Sequence, residues 1–202
     1  MDFAIQVKGL ETGMHEPRLK RGLGLGYMVN PHGPDHVLNM HDDGWANDFV
    51  MKPMNPLGLL ETLPVEEIGP RKVTIFKFEQ HKQIITDSLL ICSFVVLPLE
   101  HQFVVDITEA VTGWRTSVTE QLRAAERILT VCRLFNIEQG LTASDDQLPE
   151  RFFQPKTNGA LSKEGLDKEK MDRAKRCYYI LMGWDPNTGV PLPEKMEELN
   201  IS

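Results

Sequence analysis

The sequence predicts an all-α domain, irregular over residues 1–70 and regularly helical over 71–202. Three observations carry this expectation. Residues 71–92 lack proline and space apolar side chains at 75, 78, 85 and 89. Residues 117–139 carry start, face and stop signals of one long helix. Gly113, Gly140 and Gly183 each close a periodic run, as helix-terminating glycines do.

Taken in order, Phe3, Ile5 and Val7 alternate before His15-Glu16-Pro17, where proline ends regular structure. Residues 21–29 fit a short helix, halted by Asn30-Pro31-His32-Gly33-Pro34. Residues 37–70, with Pro53, Pro56, Pro64 and Pro70 and with Met40, Met51 and Met54, read as an irregular insertion. A helix is expected over 71–92, and a second from Pro98 to about residue 112. In 117–139, Ser117 and Glu120 form a capping box, and Val118, Leu122, Ala125, Leu129 and Cys132 line one face. Asp145-Asp146 reads as a cap or turn. A helix over 167–182 and a short one from Pro193 to residue 199 complete the chain. With no internal repeat, 1–202 is expected to be a single domain.

A net charge of -7 without a basic tract argues against a nucleic-acid groove or an anionic membrane surface, leaving small molecules or proteins as partners. The first ten residues lack the basic-then-apolar order of a signal peptide. The longest apolar run, 89–97, is about half of the roughly 20 residues that span a bilayer. A soluble cytoplasmic protein is expected. Three cysteines without a Cys-x-x-Cys do not suggest a disulfide framework.

The segment most suggestive of chemistry is Asp87-Ser88-Leu89-Leu90-Ile91-Cys92, with a carboxylate and a thiol five residues apart. One thiolate cannot hold a metal alone, so a cluster ligated here would need ligands from elsewhere. On pattern alone, a buried thiol is the commoner reading of Cys92, and Cys132 and Cys177 read as core. Gly22, Gly24 and Gly26 lack the spacing of a phosphate loop, which favours close helix packing. His32, His36 and His41 share one irregular segment, where zinc or a single acid/base histidine are the alternatives to no role at all.

Several blocks agree, in order, with one family. Val7-Lys8-Gly9-Leu10-Glu11, Pro17-Arg18, Gly22 to Tyr27, Gly33-x-x-His36, Asp87-Ser88-x-x-Ile91-Cys92, Glu126-Arg127-Ile128, Arg133-Leu134-Phe135-Asn136, Asp145-Asp146-x-Leu148-Pro149-x-Arg151-Phe152 and Gly183-Trp184-Asp185 are similar to the carboxy-terminal domain of the tungsten-containing aldehyde ferredoxin oxidoreductases. The resemblance implies an irregular helical domain. It implies a tungsten or molybdenum bis-pyranopterin beside a [4Fe-4S] cluster, aldehydes as substrates and ferredoxin as electron acceptor. The pterin-binding base and three cluster cysteines would come from a missing amino-terminal domain or subunit. By the same resemblance, Asp87 and Ile91 contact a pterin, Cys92 supplies the fourth cluster ligand, and His36 lies near the metal. His32 stands where an arginine is directed at the cofactor. Leu90 replaces the motif's glycine, and the segment from residue 47 to 70 is longer than usual.

The expectation is therefore one domain, or one subunit, of a split aldehyde-oxidising enzyme, inactive alone. The alternative is a cofactor-free interaction or scaffold protein that kept the fold.

Overall fold

The computed structural model describes residues 3–39, 41–96 and 99–201. The alternating start forms a small antiparallel hairpin, β1 (Gln6–Val7) and β2 (Leu10–Glu11), with Val7 opposite Leu10. Lys8 and Gly9 turn it with φ of 52° and 84°, the positive pair that matches strand twist in a two-residue turn. Everything else regular among the described residues is helical, as the sequence predicts.

Helix α1 (Arg21–Val29) is buried from Gly22 onward. Its glycines serve packing. A Cβ on Gly26 would lie 2.0 Å from Asn39 Oδ1, and one on Gly24 would lie 3.2 Å from Pro17 Cβ. The amino end of α1 is occupied by the protein's own carboxylate: Gly22 N and Leu23 N donate to Asp42 Oδ1 and Oδ2 at 2.8 and 3.0 Å. Asp42 also pairs with Lys72 at 2.9 Å, both side chains fully buried.

The proline-rich insertion resolves into short turns, α2 (Asp42–Trp45), α3 (Asp48–Met51) and a 3-10 segment (Lys52–Leu57), which tuck Trp45, Met51 and Met54 into the core. Helix α4 (Pro70–Ser88) begins at its proline and packs against α1 and three later helices, α5 (Ser93–Val96), α7 (Val118–Glu138) and α8 (Lys168–Leu181). It ends four residues before the expected boundary, so Cys92 lies beyond the helix. Helix α6 (His101–Thr112) starts after the expected Pro98, which lies outside the described residues, and Gly113 stops it with φ of 74°. Ser117 Oγ caps α7 by accepting from Glu120 N at 3.2 Å, but the Glu120 carboxylate takes the Thr116 hydroxyl instead of closing the box. Asp167 caps α8, and α9 (Pro193–Leu199) ends at Asn200.

The main core joins Leu23, Leu25 and Tyr27 of α1 to Val73 and Phe76 of α4, Leu129 of α7 and Tyr178 of α8. Burial of this apolar surface, at about 25 cal/mol per Å², is what holds short and glycine-rich elements together. A smaller cluster joins Ile85, Val96, Val104 and Ala125. The Asp145-Asp146 pair divides. Asp145 turns the chain by accepting from Thr142 N at 2.7 Å. Asp146 instead is a buried hub: it pairs with Lys8 at 2.6 Å and Arg133 at 2.8 Å, and accepts from the Tyr179 hydroxyl. It ties the hairpin to α7 and α8. No helix among the described residues is long and apolar enough to cross a membrane.

Candidate functional site

Two groups of side chains stand out, both attached to α4. The first is the turn that ends it. Leu90 N donates to Asp87 O at 3.0 Å and Ile91 N to Thr86 O at 2.9 Å, the pair of bonds that closes a Schellman turn. The turn requires a left-handed residue, and Leu90 supplies it with φ of 59°. At the ends of α6 and α7 the corresponding place belongs to Gly113 and Gly140. A side chain in that region costs about 1–2 kcal/mol, yet Leu90 is 93% exposed and buries almost nothing in return.

This turn explains what the pattern concealed. A glycine at 90 would have marked the helix end; a leucine continues the apolar run. Asp87 is exposed, and its Oδ1 accepts from Gln83 Nε2 at 2.8 Å. Gln83 also donates to Ser93 Oγ at 2.7 Å, which ties α4 to the start of α5. Ile91 is half-buried against the smaller core cluster. Cys92 is exposed, contrary to the buried thiol expected from pattern alone, and it is followed by Phe94, itself 88% exposed. Cys132 and Cys177 are half-buried, and burial pushes both thiols up from their ordinary values.

Leu90→Gly is expected to raise stability by about 1 kcal/mol by relieving the left-handed leucine. Thermal or urea unfolding reads this directly. A lower midpoint would mean that the leucine side chain contributes contacts larger than the strain.

The second group lies in the loop after α1. His36 is exposed and stacks on His15, with ring centroids 4.8 Å apart, and His41 meets the His15 ring edge-on at 4.6 Å. His41 Nε2 donates to the His36 carbonyl at 2.9 Å while its Nδ1 faces Lys20 Nζ at 2.9 Å, and Lys20 in turn pairs with Asp43. Burial, aided by the Lys20 charge, lowers the His41 pKa; burial and the His41 and Lys20 charges lower that of His15. His32 turns away from this group and donates to Asp35 at 3.1 Å. That bond, with the Val37 and Leu38 amides, brings the Asp35 carboxyl down to about 2. His32, His36 and His41 therefore do not converge as the zinc alternative requires, and among the described residues no group of three or more His, Cys, Asp or Glu is arranged to hold a metal.

A buried chain of amides anchors the loop. Asn30 donates to Asn39 Oδ1 at 2.9 Å, Gln80 of α4 donates to Asn30 Oδ1 at 2.7 Å, and the Tyr178 hydroxyl of α8 donates to Gln80 Oε1 at 2.7 Å. Gln80 lies seven residues before Asp87, about 10 Å along the helix. One helix thus carries the anchor of the histidine loop and, at its end, the carboxylate and thiol. His15, Lys20, Asn30, Asn39 and Gln80 were not singled out by the sequence, because their meeting depends on contacts up to fifty residues apart in the chain.

Comparison with known proteins agrees with this architecture. Residues 1–201 match the family described as aldehyde ferredoxin oxidoreductase, domains 2 and 3. The chain is 32% identical over 205 residues to a tungsten-containing aldehyde ferredoxin oxidoreductase of Thermococcus kodakarensis, and 31% identical to one of Pyrococcus furiosus. In each case all of this chain aligns with 31% of the relative, so it spans about a third of their length. Among solved structures, the active-site complex BamBC of benzoyl coenzyme A reductase, in complex with 1,5-dienoyl-CoA, superposes with a TM-score of 0.65 at 18% identity, over 95% of this chain and 31% of that one. That likeness concerns the fold. The full-length match and the identity to the tungsten enzymes establish that this chain belongs to the aldehyde ferredoxin oxidoreductase family, as a carboxy-terminal domain of it.

Proposed function

We propose that the chain is the carboxy-terminal domain or subunit of an enzyme that oxidises aldehydes to carboxylic acids and passes the electrons to ferredoxin, and that it is inactive without the amino-terminal cofactor domain. The observation that carries this reading is the α4 turn, which presents Asp87 and Cys92 to solvent at one helix end of a family domain. When bound, a tungsten or molybdenum bis-pyranopterin supplies the two-electron chemistry and a [4Fe-4S] cluster the one-electron outlet.

The residues present fit those groups in part by donor type and in part by shape. Cys92 offers an accessible thiol for one iron, a quarter of a four-thiolate set. Asp87 offers a carboxylate whose second oxygen has no hydrogen-bond partner among the described residues and can accept from pterin ring N–H groups, and Ile91 packs the turn against the smaller core cluster. His36 is the residue assigned to hold or release a proton beside the substrate, because its ring is accessible and its main chain is pinned by His41. His32 reaches a cofactor only by leaving Asp35.

The test is the contrast among cysteines in the assembled enzyme. Cys92→Ala should lower iron content, whereas Cys132→Ala and Cys177→Ala should cost only packing, on the order of 1 kcal/mol each. Equal iron in all three variants removes Cys92 from the site. The cofactor-free scaffold reading draws on the Leu90 side chain and the His32–Asp35 pair. A wild-type assembly that carries neither iron nor tungsten would favour it.

A further inference from the structure

The α4, α6 and α7 helices leave an open groove of about 640 Å³, walled on one side by the loop between α6 and α7. Its floor is apolar: Ile85, Leu89 and Ala124. On its wall stand Trp114 and Arg115. Trp114 is 73% exposed, whereas the other two tryptophans, Trp45 and Trp184, are 4% and 3% exposed. Large exposed aromatic surface beside a cavity marks binding sites. Arg115 is exposed and has no hydrogen-bond or ion-pair partner among the described residues, so its guanidinium fork is free on the same groove wall as Trp114.

We propose that this groove binds a small aromatic monocarboxylate. The ring packs between Trp114 and the apolar floor, and the carboxylate takes the Arg115 fork in a bidentate, charge-assisted pair. Charge complementarity also sets an upper limit. Glu120 lines the same groove, where its carboxylate accepts the Thr116 hydroxyl at 3.1 Å, so a second negative charge on the ligand meets repulsion. Thr108 is already engaged, donating to Val104 O and accepting from Gln121, which leaves the Arg115 cation as the anchor for the carboxylate. Ser88 and Leu89 of the α4 turn line the groove, but Asp87, Cys92 and His36 do not, so the ligand is held by side chains other than those given to the proposed chemistry.

The test uses the chain alone, with phenylacetate as probe and phenylacetamide as its uncharged counterpart. Because only Trp114 is accessible, tryptophan emission and iodide quenching report on the groove. Phenylacetate should protect Trp114 from iodide in a saturable way at or below the low millimolar range, with phenylacetamide at least tenfold weaker. Arg115→Gln should weaken phenylacetate at least tenfold without moving the unfolding midpoint. Trp114→Phe should keep calorimetric binding within about threefold while losing the optical signal. Equal binding of acid and amide, no effect of Arg115→Gln, or protection that depends on protein concentration instead of ligand would each overturn the proposal. The last result would assign the groove to a contact between copies of the chain.

Discussion

Asp42→Ala is expected to destabilise the chain by about 3–5 kcal/mol, the cost of leaving a buried charge without its partner. Among the described residues Lys72 would keep only the Pro64 carbonyl, at 3.0 Å, with its own side chain fully buried. The Gly22 and Leu23 amides in the first turn of α1 would lose their acceptor at the same time. Against a total stability of some 5–15 kcal/mol, such a loss brings the chain close to unfolding at room temperature. Urea midpoints at constant slope measure it. The paired substitution Asp42→Leu with Lys72→Met removes both charges and should recover more than half of the loss. Asp42→Ala within 1 kcal/mol of wild type would show that the pair is dispensable.

The next largest effect belongs to the proposed chemistry. In the assembled enzyme, His36→Asn should lower aldehyde oxidation about 100-fold to 10,000-fold, the usual contribution of a positioned acid or base, while metal and pterin content stay unchanged. The substitution removes the imidazole but leaves the backbone carbonyl at position 36 that His41 holds, so the loop geometry is retained. Activity and cofactor content measured on the same preparation separate the alternatives. If both fall in proportion, His36 supports the cofactor and the proton-transfer assignment is wrong.

The parts of the fold legible in the sequence are those governed by local rules. Helix α7 is announced by Ser117 and closed by Gly140, and α9 runs over its expected residues because Pro193 starts it. The end of α4 was misplaced because Leu90 performs a glycine's task, so no local signal marked it. Long-range electrostatics were out of reach. Lys72 answers an aspartate thirty residues earlier, and Asp146 collects Lys8 and Arg133 from distant elements. For the site, the motif from Asp87 to Cys92 was visible from residue types, but its exposure was not, since accessibility of the thiol follows from the turn. His36 was visible as a loop histidine. The company of His15 was not, because it arrives from a segment on the other side of α1.

The chain of amides from Asn39 through Asn30 and Gln80 to Tyr178 has a consequence for the loop between the two asparagines. Its ends are fastened to each other and to two helices, so the segment bearing His32 and His36 has its closure entropy supplied during folding instead of during binding. An imidazole on such a tether meets an incoming molecule already in place, and little ordering remains to be done at the moment of encounter. The same fastening makes the loop an extension of α4 and α8: a change in the tilt of either helix is delivered to the histidine as a displacement of its whole segment.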